Sequence, residues 1–124
     1  MALAWDGGLT CSIGASDLEK ALAWYRDTLG FKHLYTAAEI GWCELETGVA
    51  RVNVGLSQQE KAGGPGGATL TFGVQDIAAA EAVLKAKGVR FDGPVRVIPG
   101  LVKLLTFFDP DGNTLMLYEA IGSA

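Results

Sequence analysis

The 124-residue sequence has one histidine and two cysteines. Cys11 and Cys43 form no Cys-x-x-Cys pair and no metal-type spacing with His33. Neither a disulfide framework nor a His/Cys zinc site is indicated. Both cysteines read as small core residues, kept reduced in a cytoplasmic compartment. No apolar run reaches the ~18 residues that a membrane helix needs. The strongest, over residues 101–108, is interrupted by Lys103. The opening Met-Ala-Leu-Ala-Trp-Asp carries no basic segment and no secretory apolar stretch, so the expected compartment is the cytoplasm. Basic residues number 10 against 14 acidic, for a net charge of −4, and they are scattered. That argues against the clustered basic face of a nucleic-acid binder.

What is present suffices for a core. Hydrophobic residues make up 49%, and this length folds as one domain without staples. The domain reads as a tandem repeat. Ser16-Asp17-Leu18 opens a helical pattern that stops at Gly30, with Phe31 beyond it. Gln75-Asp76-Ile77 opens a second that stops at Gly88, with Val89 and Phe91 beyond it. Asp17 and Asp76 lie 59 residues apart, and Gly30 and Gly88 lie 58 apart. Strand-like runs at 9–14 and 68–74 precede the two patterns. Each half therefore reads as strand, helix, then further strands.

Ser16 with Glu19 forms a capping-box pattern for the first helix. Leu18, Ala21, Leu22, Tyr25 and Leu29 share one helical face. In the second helix Asp76 is the cap and Ile77, Ala80 and Leu84 point inward. Residues 57–67 (SQQEKAGGPGG) are polar and glycine-rich and read as a connector. They lack the Gly-Lys-Ser/Thr of a phosphate-binding loop. The expected organisation is a first module over 1–56, a linker over 57–67 and a second module over 68–124. Asp109-Pro110-Asp111-Gly112-Asn113 reads as a hairpin turn, its acidic residues serving the turn rather than catalysis.

Three stretches, 16–31 (SDLEKALAWYRDTLGF), 74–91 (VQDIAAAEAVLKAKGVRF) and 107–119 (FFDPDGNTLMLYE), resemble the vicinal oxygen chelate superfamily in order and spacing. That superfamily includes glyoxalase I, extradiol dioxygenases and bleomycin-resistance proteins. The resemblance implies an α+β fold: two tandem βαβββ modules whose curved mixed sheets enclose a cavity, often within a homodimer. It also implies that enzymatic members hold a divalent metal through His, Gln and Glu on the first and last strands of each module. Carried over, the first-strand positions, seven residues before each helix-opening Asp, are Thr10 and Thr69. The last-strand positions are Met116, just after the turn, and a residue near Asn53. Two hydroxyls, an amide and a thioether make a poor site for zinc, iron or nickel. Glu119 lies three positions past Met116 and so on the opposite strand face. His33 falls outside the pattern, as a surface or strand-edge residue.

Strand alternation sorts the remaining side chains. Leu9, Cys11, Ile13, Leu70, Phe72, Val74, Cys43, Leu45, Leu115 and Leu117 face the helices. Thr10, Ser12, Gly14, Thr69, Thr71 and Gly73 face the other way, with Trp42, Glu44, Arg51, Asn53, Thr114, Met116 and Tyr118. Trp42 and Tyr118 can stack on a planar molecule, the hydroxyls can donate or accept, and Glu44 can pair with a cationic group. A filled second core with a Glu44–Arg51 ion pair fits the same composition.

The sequence thus points to a protein that binds a small, partly aromatic organic molecule without a metal, as bleomycin-resistance proteins do. The expected ligand-binding residues are Thr10, Ser12, Trp42, Glu44, Asn53, Thr69, Thr71, Met116 and Tyr118. No cofactor is expected. The alternative is a glyoxalase- or dioxygenase-like lyase, isomerase or oxygenase. It would use a divalent metal, or Glu44 as acid/base.

Overall fold

Two aspartates start the two helices. In the computed structural model, which describes residues 4, 6, 8–60 and 69–121, α1 (Leu18–Leu29) follows Asp17 and α2 (Ile77–Ala86) follows Asp76. Each Asp is extended and accepts a hydrogen bond from a first-turn N–H, Lys20 N or Ala79 N, at 3.1 Å. The N-cap of α1 is thus Asp17 and not Ser16. A carboxylate one residue later caps an N–H one residue further along, that of Lys20, and also opposes the helix dipole. Gly30, at φ 75, ends α1 in the left-handed conformation, where glycine is at little cost.

The chain divides into two compact units. In the first, β1 (Leu9–Ala15), β2 (Lys32–Ala37), β3 (Trp42–Glu46) and β4 (Val52–Gln58) form a sheet in the order β1-β4-β3-β2. In the second, β5 (Leu70–Gly73), β6 (Arg90–Phe91), β7 (Arg96–Ile98), β8 (Val102–Phe108) and β9 (Thr114–Ala120) form a sheet in the order β5-β9-β8-β6, with β7 also on β8. Both sheets are mixed. β1 pairs parallel to β4 and β5 parallel to β9, while the other pairs are antiparallel. Each unit is therefore a βαβββ module, as expected. In the second module the strand after the helix is split into β6 and β7 by a segment containing Pro94, which has no N–H to offer a ladder.

Two further expectations are corrected. β4 runs through Ser57 and Gln58, two residues past the expected module boundary, because those residues still pair with β1 and β3. Residues 61–67 of the expected linker lie outside the described residues. Leu9 was expected to face the helix. It is 59% exposed, because it sits at the very start of β1.

α1 packs on β2, β3 and β4, and α2 packs on β8 and β9. Beneath α1 lie Cys43, Leu45, Val54 and Leu56, fully buried with Ala21 and Tyr25. Beneath α2 lie Leu105, Phe107, Leu115 and Leu117, with Ile77 and Leu84. Each large aliphatic side chain buried this way contributes roughly 1.5–3 kcal/mol. Burial pushes the Cys43 thiol up, an inert core cysteine as expected. Asp109 is buried and accepts from Asp111 N, Asn113 N and Asn113 Nδ2 at 2.8–2.9 Å. It is the keystone of the β8–β9 turn.

The last strand of each module also ties down its helix. Gln58 Oε1 accepts from Leu18 N at 2.9 Å, and the Gln58 amide donates to the Ser16 carbonyl. Glu119 Oε1 accepts from Ile77 N at 2.7 Å, and Lys103 Nζ lies 3.8 Å from its other oxygen. Glu119→Ala should lower stability by about 1–2 kcal/mol in urea unfolding, whereas Glu119→Gln, which keeps an acceptor, should retain most of it. Equal loss in both variants would mean that the charge, and not the helix N–H, is what matters.

Candidate functional site

With the helix on one face of each sheet, the alternate side chains project from the opposite face. In the first module this open face carries a chain of hydrogen bonds. Trp42 Nε1 donates to the Tyr35 hydroxyl oxygen at 3.2 Å, and Tyr35 donates to Glu44 Oε1 at 3.1 Å. Asn53 Nδ2 donates to Glu44 Oε2 at 2.8 Å. Glu44 thus stands between β2 and β4 with each oxygen held by a neutral donor. Register explains why these four meet. Tyr35 is opposite Glu44, Glu44 is opposite Gly55, and Gly55 is opposite Ser12 of β1. Thr10 is opposite Asn53.

Trp42 covers Gly55. A Cβ at that glycine would lie 1.9 Å from the Trp42 ring. Only a residue without a side chain lets the indole lie against the sheet there. Beside this network, at the start of β1, opens a polar cleft of about 290 Å³ lined by Asp6, Gly8, Leu9, Thr10, Arg51 and Asn53.

In the second module Thr71 is opposite Met116, and Met116 is opposite Thr106. Tyr118 is opposite Gly73 and covers it, with a Cβ there 2.8 Å from the Tyr118 ring. Thr69 lies one residue before β5, and its carbonyl accepts a long contact from the Thr71 hydroxyl at 3.4 Å. The sequence-predicted residues therefore fall into two groups, one on each sheet: Thr10, Ser12, Trp42, Glu44 and Asn53, then Thr71, Met116 and Tyr118 with Thr69 at the strand's edge.

Tyr35 was missed. A register shift between His33 and Tyr35 turns Tyr35 onto the open face while His33 stays opposite Leu45. His33 itself bonds Thr36 Oγ1 at 2.8 Å on β2, the edge strand. The Glu44–Arg51 ion pair does not form. Arg51 sits in the turn before β4 and reaches Asp6, at 3.9 Å, while Glu44 is engaged by Tyr35 and Asn53.

The helix ties also correct the correspondence between modules. Gln58 and Glu119 do the same work, so the residues three before them, Gly55 and Met116, are equivalent. The first-module counterpart of Met116 is Gly55 and not Asn53. The four positions that would hold a metal are then Thr10, Gly55, Thr69 and Met116: two hydroxyls, no side chain and a thioether. Among the described residues, no three His, Cys, Asp or Glu come together. This donor set does not fit a transition-metal ion.

A family model described as "Glyoxalase/Bleomycin resistance protein/Dioxygenase superfamily" matches residues 9–117. The fold is similar to that of a member of the same superfamily from Sphaerobacter thermophilus, with TM-score 0.80, 29% identity, and 94% of this chain and 98% of that one covered. It is similar to TnmS3, an antibiotic binding protein from Streptomyces sp. CB03234, with TM-score 0.75, 26% identity, and 96% and 99% covered. A lactoylglutathione lyase from Agrobacterium tumefaciens shares the fold at 20% identity and TM-score 0.73, with 92% and 93% covered. No curated protein matches the chain. Among the described residues no helix is long and apolar enough to cross a membrane.

The close approach of Trp42 to Gly55 is testable. Gly55→Ala should cost roughly 1–3 kcal/mol in urea unfolding, the usual scale of overpacking. Adding Trp42→Ala should restore most of that loss. A Gly55→Ala protein as stable as its parent would place the indole elsewhere.

Proposed function

This chain belongs to the Glyoxalase/Bleomycin resistance protein/Dioxygenase superfamily, and from that premise we propose that it binds a small, partly aromatic organic molecule without a metal. The observation that carries this reading is the Trp42–Tyr35–Glu44–Asn53 network on the open face of the first module. Its members hold one another by hydrogen bonds among the protein's own side chains. Two aromatic side chains and a carboxylate with both oxygens held therefore lose little freedom on binding, which favours affinity. Trp42 and Tyr35 offer apolar faces for a planar ring, and Glu44 offers a fixed acceptor for a donor group on the ligand. The similarity to an antibiotic binding protein supports the same reading.

A metal-dependent lyase or oxygenase needs ligands that Thr10, Gly55, Thr69 and Met116 do not supply. A metal-free enzyme has one observation in its favour. Tyr35 and Asn53 orient Glu44 as partners orient a general base. The two readings part on turnover: a bound compound recovered unchanged after prolonged incubation supports binding alone, and a mass change assigns chemistry to Glu44.

Titration of a panel of planar aromatic amines and acids by isothermal calorimetry provides the test. Trp42→Ala should weaken binding at least tenfold, about 1.4 kcal/mol or more, with the folded baseline kept in circular dichroism. Unchanged affinity in that variant would remove the open face of the first module as the site. We further propose a homodimer in the cytoplasm. Sedimentation at a single 13.0 kDa species across concentrations would exclude the dimer.

A further inference from the structure

One charged side chain of the first module stands in a backbone conformation that its residue type disfavours. Arg51 has φ 60 and, among the described residues, is the non-glycine residue with positive φ. Glycine or asparagine takes that left-handed conformation more readily than arginine. The local hydrogen bond there is made by the backbone, Leu9 N to the Arg51 carbonyl at 2.9 Å, and a glycine would keep it. Turn geometry therefore does not call for this arginine, and residues held in such conformations gather at sites that hold ligands.

Three further features surround it. Arg51 lines the cleft of about 290 Å³ at the start of β1, together with Thr10 and Asn53. Its ion pair with Asp6 is loose, at 3.9 Å, with the two side chains 63% and 85% exposed. Such a pair contributes little, so an incoming anion displaces it easily. Asn53 belongs to both places, lining the cleft and donating to Glu44. Gly55, which Trp42 covers, is the next open-face residue along β4, about 7 Å from Asn53 at ordinary strand rise. One small molecule can therefore reach from the indole to the guanidinium.

We propose that this cleft is the subsite for an anionic oxygen group of the ligand, a carboxylate or a phosphate. Arg51 is its charge partner, and the Thr10 hydroxyl is a further donor. The proposal rests on the reading of Trp42 and Glu44 as a ligand site, and it narrows the ligand to an aryl acid or aryl phosphate. The guanidinium fork matches either oxygen group through two parallel N–H donors. Asp6 stands 3.9 Å from one guanidinium nitrogen until the ligand's anion takes its place.

Four naphthalene probes separate the possibilities by calorimetry: 1-naphthylacetate, 1-naphthyl phosphate, 1-naphthylacetamide and 1-naphthylmethylamine. The acetate or the phosphate should bind at least tenfold tighter than the amide, and whichever of the two binds tighter identifies the oxygen group. The preference should shrink with added salt and vanish in Arg51→Met and Arg51→Gly. Arg51→Gly should at the same time raise Tm, since glycine relieves the backbone, and a purely structural arginine would not couple these two effects. Equal binding of acid, phosphate and amide, or a preference that survives both substitutions, would overturn the subsite. If binding of the probes still falls in Trp42→Ala, the ligand-site reading stands without it. Tightest binding of the amine would assign the ligand's charge to Glu44 instead and overturn the proposal. Failure of all four probes at millimolar concentration would overturn both the subsite and the aromatic ligand site.

Discussion

Both modules depend on one bond: the side chain at the end of the last strand accepts the first free N–H of the helix. Gln58 holds Leu18 N, and Glu119 holds Ile77 N. A helix start carries N–H groups that lack intrahelical partners, and Asp17 and Asp76 satisfy N–H groups farther into the first turn. The tie from the strand satisfies another and sets where the helix begins relative to the sheet. With the helix fixed over Leu45, Val54 and Leu56, or over Leu105, Leu115 and Leu117, alternation sends every second side chain to the other face. The open faces exist because the covered faces are fixed.

The parts of the fold that were legible in the sequence are those with local chemistry. The repeat of Asp17 and Asp76, the glycine at the end of α1 and the turn around Asp109 each satisfy backbone groups within a few residues. The alternation along β3 and β9 was legible for another reason, since successive side chains of any strand point to opposite faces. What escaped required contacts distant in sequence. Ser16 and Asp17 are adjacent, and both can cap. Only the position of Gln58, forty residues on, marks where α1 begins. The same side chain shows that β4 outlasts its apolar pattern, and counting back from it moves the equivalent of Met116 from Asn53 to Gly55. Tyr35 escaped for a different reason. A bulge changes the face of every residue beyond it, and His33-Leu34-Tyr35 contains no glycine or proline to announce one.

Gly55 also links what the first module lacks to what it has. In the resemblance this position is where a last-strand ligand would stand. Here any side chain at 55 would meet the Trp42 ring, since even a Cβ would approach it to 1.9 Å. An indole over the sheet and a metal ligand at this point exclude each other. The absence of a ligand at this position is therefore a condition for the aromatic surface. Tyr118 over Gly73 repeats the arrangement in the second module, although there the equivalent residue, Met116, keeps its side chain.

The open face of the first module then follows from a sequence of constraints. Gly55 admits Trp42, Trp42 donates to Tyr35, and Tyr35 with Asn53 holds Glu44. Each member limits the rotamers of the next, so the cost of ordering these side chains is met when the protein folds and not when a ligand binds. Neutral donors hold both oxygens of the carboxylate in place. Arg51 stands apart from it, in the turn before β4 and near Asp6, in a conformation that the backbone alone would give to glycine. Asn53 donates to that carboxylate and also lines the cleft that the guanidinium lines, on a sheet whose open face carries an indole. Such a surface can orient a molecule by ring, donor and anion together, and no one of the three contacts suffices for that orientation.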